Sequence, residues 1–336
     1  MPHHPAAPRD ARIHHSIFGA AELAKLIQAD YGLPAPCTCT LFASGVNDIY
    51  RVEARGQPYL LRVARVQRYG AFDEPAYRFE LDLLRFLHAH HVPVAYPLPR
   101  HNTDLLGVIE APEGPRPYAL FTFAPGDVRA ALAPADAALL GSALAQVHRV
   151  ANSFASPHAR FHLDEAFLLN EPLRRLRTFP DVASADLAFL ERLCGALREQ
   201  LQRLAPQGDA YGIIHGDVWW HNAHFAAGTV TLFDFDFCGY GWRSYDLGCL
   251  RGTAKAFGTP LADEVVAAFL EGYQAIRPLT EPERQAMAAF EKIRVVWAFG
   301  LWTSLAEVLG TRWFYATFQR VFATLKQWVE EEAAQG

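Results

Sequence analysis

Apolar and polar positions change their spacing along this chain, and the change divides it. Short apolar, β-rich runs at 38–42, 49–53 and 59–64 are separated by turn-forming residues, which predicts three strands with tight connections. A helix is expected before them over Ala20–Asp30, and another after them near 73–90, closed by a His-His-Val-Pro-Val run. Two further strands, 105–110 and 117–123, flank the Pro- and Gly-rich stretch APEGPRP at 111–117, which reads as a hairpin connection. Beyond residue 124 the spacing becomes helical. Leu139, Leu140, Leu144 and Val147 recur near helical spacing within Ala133–Val150, and segments 164–177 and 184–204 are read as helices too. The exceptions are two short β-rich runs, Gly212–His215 and Thr229–Phe233, and a tight loop between them is expected to bring Asp217, Asn222 and Asp234 together. From about 244 to 334 successive helices are expected, broken at Gly258-Thr259-Pro260, Pro278, Pro282 and Gly310. This order predicts an α+β fold, with a small antiparallel sheet in an N-terminal region, 1–123, and a larger, mostly helical region, 124–336.

Composition narrows the class without naming it. The chain has 336 residues, 51% of them hydrophobic and 12% aromatic, which suits a globular enzyme and not a disordered protein. A net charge of −5 gives no electrostatic footprint for nucleic acid. No apolar run reaches the length of a membrane span, and the opening residues lack the apolar core of a signal peptide. Residues 1–16 are expected to be flexible, and His3, His4, His14 and His15 are too loosely placed for a metal site. The five cysteines, Cys37, Cys39, Cys194, Cys238 and Cys249, are scattered and odd in number, so reduced thiols and a cytoplasmic setting are expected.

The chemistry concentrates in residues 213–237, IIHGDVWWHNAHFAAGTVTLFDFDF. An acid at Asp217 is followed five residues later by the amide of Asn222, and an acid pair stands at Asp234 and Asp236. Phosphoryl transfer asks a protein mainly for positioning and charge neutralisation. Magnesium takes hard oxygen ligands and keeps several waters, so one carboxylate and one amide oxygen suffice beside the phosphates of ATP. A further carboxylate in hydrogen-bond reach can orient the accepting hydroxyl. Asp217, Asn222 and Asp234 cover these roles.

The spacing D-x-x-x-x-N is that of the protein-kinase catalytic loop, and the LFDFD run stands where a kinase has its D-F-G. His215-Gly216-Asp217, Asn222 and Phe233-Asp234-Phe235, with Tyr245-Asp246-Leu247-Gly248 further on, resemble the aminoglycoside phosphotransferase and choline kinase family. LLRVAR at 60–65 and VPVAYPLPR at 92–100 resemble the branch with type II homoserine kinases and bacterial stress-response kinases. The resemblance covers roughly residues 38 to 300. It implies a two-lobed, protein-kinase-like fold with ATP and magnesium in the cleft between lobes. It also implies Asp217 as catalytic base, Asn222 and Asp234 as metal ligands, and Asp246 as a buttress of the catalytic loop.

Two departures from the kinase pattern matter. The usual strand lysine is missing; the chain has only Lys25, Lys255, Lys292 and Lys326. Arg62 is the expected phosphate-binding cation, with Glu80 as partner and Glu74 and Asp82 as fallbacks. The run G-x-G-x-x-G is also missing, and the covering loop is Ala43–Asp48, with Ser44, Gly45 and Asn47 as candidate nucleotide contacts. Phe121-Thr122-Phe123-Ala124-Pro125-Gly126 resembles the segment joining kinase lobes, which makes the backbone of Phe121 and Phe123 candidates for the adenine edge. Asp236 is a candidate second metal ligand or a support for Asp234. Trp219 or Trp220, and one or two of Trp297, Trp302, Trp313, Phe314 and Tyr315, are candidates for the acceptor pocket; Arg243 and Arg251 are candidates to pair with an anionic substrate or with Asp246.

The function expected is transfer of the ATP γ-phosphoryl group to a hydroxyl of a small molecule: an antibiotic, amino alcohol, homoserine or sugar. The alternative is a protein serine/threonine kinase of the stress-response type. No nucleic-acid or membrane partner is expected.

Overall fold

The computed structural model describes residues 13–66, 68–70, 72–204 and 208–335; His3 and His4 lie outside them, as does most of the segment 1–16. The chain forms two compact units, one of Met1–Arg68 with Pro99–Leu120 and one of Tyr69–Leu98 with Phe121–Gly336.

The first unit opens with helix α1 (Ala20–Tyr31), whose buried face is Leu23, Ala24 and Ile27. Gly32, in the left-handed region at φ 63°, ends it. Five strands follow: β1 (Cys37–Ser44), β2 (Asn47–Ala54), β3 (Gln57–Ala64), β4 (Gly107–Ala111) and β5 (Gly114–Thr122), in sheet order β1-β2-β3-β5-β4. The pairs β1–β2, β2–β3 and β4–β5 are antiparallel. Tyr50, Val52, Leu61, Val63 and Leu120 are fully buried. Arg116 is buried with them and is not left unpaired. Its Nε donates to Ala64 O at 2.8 Å, its Nη2 to Asp48 Oδ2 at 2.7 Å, and its Nη1 to Ser16 O at 2.6 Å. His15 reaches the same carboxylate, 3.2 Å from Asp48 Oδ2, so the N-terminal segment is tied to the sheet.

The second unit begins with α2 (Glu74–Ala89), capped by the Asp73 side chain, which accepts from Ala76 N at 3.0 Å. Its aromatic residues explain why the segment 69–98 packs within this unit. Phe79 meets Phe154 and Tyr240 edge-on, at 5.4 and 5.7 Å between ring centres, and Phe86 meets Phe154 at 5.3 Å. The strand-after-strand order of the sequence suggested that α2 belongs with the sheet region; its packing puts it with the helices.

Next come α3 (Pro134–Val150), β6 (His162–Leu163), a π-helical turn at Ala166–Asn170 and α4 (Glu171–Thr178). They are followed by α5 (Ser184–Gln202), β7 (Tyr211–Ile214), β8 (Ala223–Ala226), β9 (Thr229–Leu232) and β10 (Gly239–Trp242). Four helices close the chain: α6 (Arg243–Ala256), α7 (Asp263–Gln274), α8 (Glu281–Leu309) and α9 (Thr311–Gln335). Helices α3 and α7 touch backbone to backbone at two glycines. A Cβ on Gly141 would stand 2.0 Å from Phe269 O, and one on Gly272 would stand 2.1 Å from Ala138 O.

Two local expectations are corrected. The segment between the two catalytic-region strands is not a single tight loop: it contains β8, which pairs with β9, while β7 pairs with β10. The β8–β9 turn uses Ala227 at φ 28° and Gly228 at φ 78°, and an alanine there carries no turn signal in the sequence. Pro282 does not break a helix but opens one, at the first turn of α8, beside a capping box of Thr280 and Glu283. Among the described residues no helix is long and apolar enough to cross a membrane.

Candidate active site

The catalytic-loop residues sit between β7 and β8, and the backbone fixes them before any side chain does. Strand β7 delivers His215 and Gly216. Gly216 adopts φ 82°, and a Cβ there would lie 2.2 Å from Phe237 O, so only glycine fits. The fully buried carboxylate of Asp246, in the first turn of α6, takes up the two N–H groups of this turn. Its Oδ2 accepts from His215 N at 2.7 Å and its Oδ1 from Gly216 N at 2.8 Å. The buttress expected from the Y-D-L-G run is therefore present.

Asp246 is itself held by His148 of α3. His148 Nε2 lies 3.0 Å from Asp246 Oδ2 and its Nδ1 lies 2.8 Å from the Tyr273 hydroxyl. The network is satisfied by a neutral ring donating from Nε2 and accepting at Nδ1. Burial pushes the His148 pKa down to about 4, against the pull of the Asp246 carboxylate.

Asp217, Asn222 and the strand leading to Asp234 are joined by hydrogen bonds. Asn222 Nδ2 donates to Asp217 O at 2.9 Å, and Phe233 N donates to Asn222 O at 3.0 Å. This second bond continues the β8–β9 ladder, in which Ala223 faces Leu232, and sets Asp234 one residue beyond. His215 spans the same junction: Asp217 N donates to its Nδ1 at 3.3 Å, and its Nε2 lies 3.1 Å from Phe233 O. It braces the loop. Asp234 is exposed and adopts the left-handed conformation at φ 62°, whereas Asp236 is buried. Arg160 fastens the acidic segment from behind, donating to the carbonyls of Asp236 and Cys238.

The donor set fits magnesium. Asn222 spends its amide nitrogen on Asp217 O, which turns its oxygen the other way, and Asp234 presents an exposed carboxylate; both are hard oxygen donors. Among the described residues no cluster of three or more His, Cys, Asp or Glu suits a metal ion.

One residue of this site was not anticipated. Arg294 of α8 donates from Nη2 to Asp217 Oδ1. Its Nε donates to Thr253 Oγ1 of α6 at 3.1 Å, and its guanidinium lies 4.5 Å from the centre of the Trp297 ring. Burial is the largest single influence and opposes its charge, but Asp217, Cys249 and Tyr245 together outweigh it and the net shift of its pKa is upward. The sequence signal was an arginine inside the apolar run I-R-V-V-W-A-F-G-L-W, where a charge needs a partner.

Other candidates are placed as follows. In the first unit Arg62 is buried on β3, facing Ile49 across the ladder. Ser44, Gly45 and Asn47 form the tip of the β1–β2 hairpin, which is shorter than expected because both strands run further. The Ser44 hydroxyl donates to Asp48 Oδ1 at 2.7 Å and accepts from Arg65 at 2.9 Å, and Gly45 N donates to Asn47 O at 3.0 Å. These donors are engaged within the turn. Gly45 keeps an ordinary φ and a Cβ there would meet nothing within 4 Å, so the turn does not require glycine.

In the second unit Glu80 is fully buried on α2. Phe121 is buried, and Phe123 lies 5.6 Å from the His224 ring, just beyond the passage from one unit to the other at Leu120. Trp220 is core, its Nε1 donating to Arg129 O at 3.1 Å, while Trp219 is half-buried against it. Trp297, Trp302 and Phe314 are core as well. Neither arginine of the Y-D-L-G region pairs with Asp246: Arg243 bonds Asp209 and Asn152, and Arg251 bonds Glu291 at 3.2 Å. Asp246 is already saturated by the loop N–H groups and His148.

An α+β fold with an N-terminal antiparallel sheet and a helical remainder carrying this loop is that of a kinase-type phosphotransferase. The chain belongs to the phosphotransferase enzyme family, APH, whose model matches residues 38–290. It is 38% identical over 308 residues to an uncharacterized protein of Deinococcus radiodurans, covering 88% of this chain and 86% of that one. It is 30% identical over 282 residues to a homoserine kinase of Phenylobacterium zucineum, covering 79% of each. Among solved structures, the amicoumacin kinase hAmiN in complex with AMP-PNP, Ca2+ and Ami has a TM-score of 0.74 at 20% identity. That match spans 91% of this chain and 94% of hAmiN, and it shows the fold. The protein is a kinase of this family.

Proposed function

We propose that this kinase moves the γ-phosphoryl group of ATP to a hydroxyl of a small molecule, with Asp217 as the base that orients and deprotonates the acceptor. The observation that carries this reading is the hydrogen-bonded junction of Asp217, Asn222 and the strand entering Asp234. It gathers one carboxylate for the acceptor and two oxygen donors for a cation at one end of the β8–β9 hairpin. Asn222 and Asp234 would hold magnesium, which neutralises charge on the phosphates when bound. In the first unit Arg62 is assigned to the non-transferred phosphates, and the hairpin tip at Ser44, Gly45 and Asn47 to nucleotide contact once its internal bonds open. In the second, Glu80 is assigned to support of the phosphate-binding cation, and the backbone of Phe121 and Phe123 to adenine.

The homoserine kinase relative makes L-homoserine the first acceptor to try, followed by amino alcohols, amino-bearing antibiotics and sugars. The test couples ADP release to each acceptor and to a generic protein substrate, alongside calorimetric titration of the nucleotide. Asp217→Ala is expected to abolish turnover with the affinity for ATP kept within about threefold, since a base acts on the acceptor and not on nucleotide binding. Asp234→Ala is expected to remove the magnesium dependence of nucleotide binding. Retained turnover in the first variant, or an unchanged magnesium titration in the second, contradicts the assignment. Phosphorylation of the protein substrate alone would replace the small-molecule reading.

A further inference from the structure

We propose that Arg294 is the positioning residue of the catalytic aspartate, fixing the carboxylate of Asp217 in the one orientation that offers its second oxygen to the acceptor. This rests on the assignment of Asp217 as base. Among the described residues, the Arg294 guanidinium is the one group that hydrogen-bonds the Asp217 carboxylate, and it takes only Oδ1. The loop itself holds Asp217 through its backbone, at N by His215 and at O by Asn222, which leaves the side-chain torsions free. Arg294 supplies what the loop lacks.

The guanidinium cannot swing to follow a moving partner. Thr253 of α6 holds Nε at 3.1 Å, and the Trp297 ring lies against its face at 4.5 Å. Trp297 is in turn fully buried and packed edge-on against Phe237 at 4.8 Å, in the connection between β9 and β10 that carries Asp234 and Asp236. Arg294 is therefore a rigid donor referenced to the same segment as the proposed metal ligand Asp234. An arginine suits this better than a lysine, because its planar fork presents Nε and Nη2 in fixed geometry to two partners at once.

The chemistry explains why placement is worth a buried cation. In phosphoryl transfer there is little covalent work for the protein, and catalysis is mostly positioning and electrostatic stabilisation. The acceptor O–H bond breaks as the new P–O bond forms. The proton passes to the free oxygen of Asp217, the bond to the leaving ADP oxygen breaks, and ADP departs with that electron pair. A carboxylate rotated about its side chain would miss the acceptor, and a displacement of about 1 Å can cost about 100-fold in rate.

The test measures kcat and KM for ATP with L-homoserine as acceptor in the wild type, Arg294→Gln, Arg294→Lys, Asp217→Asn and the Asp217→Asn/Arg294→Gln double variant. Thr253→Val is added, because it loosens the arginine without removing its charge and is less liable to unfold the protein. Crystal structures of the wild type and Arg294→Gln are compared at the Asp217 side chain.

We expect Arg294→Gln to lose about 100-fold in kcat while KM for ATP stays within about twofold, Arg294→Lys to recover part of the loss, and Thr253→Val to lose severalfold. In the Asp217→Asn background the glutamine substitution is expected to change kcat by less than about threefold, since a residue that acts through another has nothing left to act on. Independent, multiplying losses in the double variant overturn the proposal, because a purely structural role gives that result. So does an Asp217 rotamer unchanged in Arg294→Gln. If the wild type turns over no acceptor at all, the functional reading fails, and the crystal comparison still decides whether Arg294 sets the aspartate.

Discussion

His148 lies fully buried between the Tyr273 hydroxyl and the Asp246 carboxylate, and its protonation state carries the support of the catalytic loop. Its pKa falls from 6.5 to about 4 on folding, chiefly through burial. The unfolded chain thus takes up this proton near pH 6.5 and the folded protein only near pH 4. The associated stability is full above about pH 6.5 and drains as pH falls toward 4, by up to about 3 kcal/mol. Urea unfolding of wild type and His148→Gln at pH 7, 5.5 and 4.5 checks this: the difference between the two is expected to shrink steadily toward acid. At this scale the sequence told part of the story. Asp217, Asn222, Asp234 and Asp246 were legible because each stands in a short local pattern. Arg294 was not, because it reaches Asp217 from 77 residues away and only the packing of α8 against α6 brings it there.

At the scale of elements, the site depends on helices that never touch a substrate. Helix α3 carries His148, and its closeness to α7 is set by Gly141 and Gly272. The atom met by a Cβ at Gly141 is a backbone oxygen, which cannot turn aside. Gly141→Ala is expected to cost about 1–3 kcal/mol in urea unfolding through overpacking, and to lower kcat by shifting His148. An alanine variant as stable as the wild type would mean that α7 yields freely. Helices and the first three strands were readable from spacing and turn residues. The β8–β9 hairpin was not, since Ala226-Ala227-Gly228 lacks the Asn or Asp that marks such turns. Strand partners were also out of reach of local pattern, because β7 joins β10 across the whole catalytic loop and hairpin.

At the scale of the whole molecule, the first unit is discontinuous: it needs Pro99–Leu120 as well as the residues up to Arg68. The later stretch supplies β4 and most of β5, and Arg116 on β5 is the nearest cationic partner of the buried Asp48, at 2.7 Å. A fragment of residues 1–68 would lose the nearer of the two arginines at this carboxylate, keeping only Arg65 at 3.5 Å, and would leave β3 without its neighbour β5. Such a fragment is expected to show no cooperative thermal transition by circular dichroism; a sharp transition would mean that the first three strands and α1 suffice. The division between sheet-bearing and helical parts was legible from composition of the elements, but the return of the chain through α2 was not. A helix carries no local mark of which unit its aromatic face will join.

Asp234 has an implication for how this enzyme can change. It holds a backbone shape that suits glycine or asparagine, and a side chain with a Cβ gives up about 1 kcal/mol or more there. Asp234→Gly is therefore expected to be more stable to heat than Asp234→Ala by about 1 kcal/mol, since both lose the side chain and only glycine escapes the backbone cost. Through the metal role proposed for the carboxylate, the glycine variant is expected to lose turnover. Where turnover is no longer selected, glycine or asparagine is therefore expected to be accepted at this position more readily than alanine or a β-branched residue.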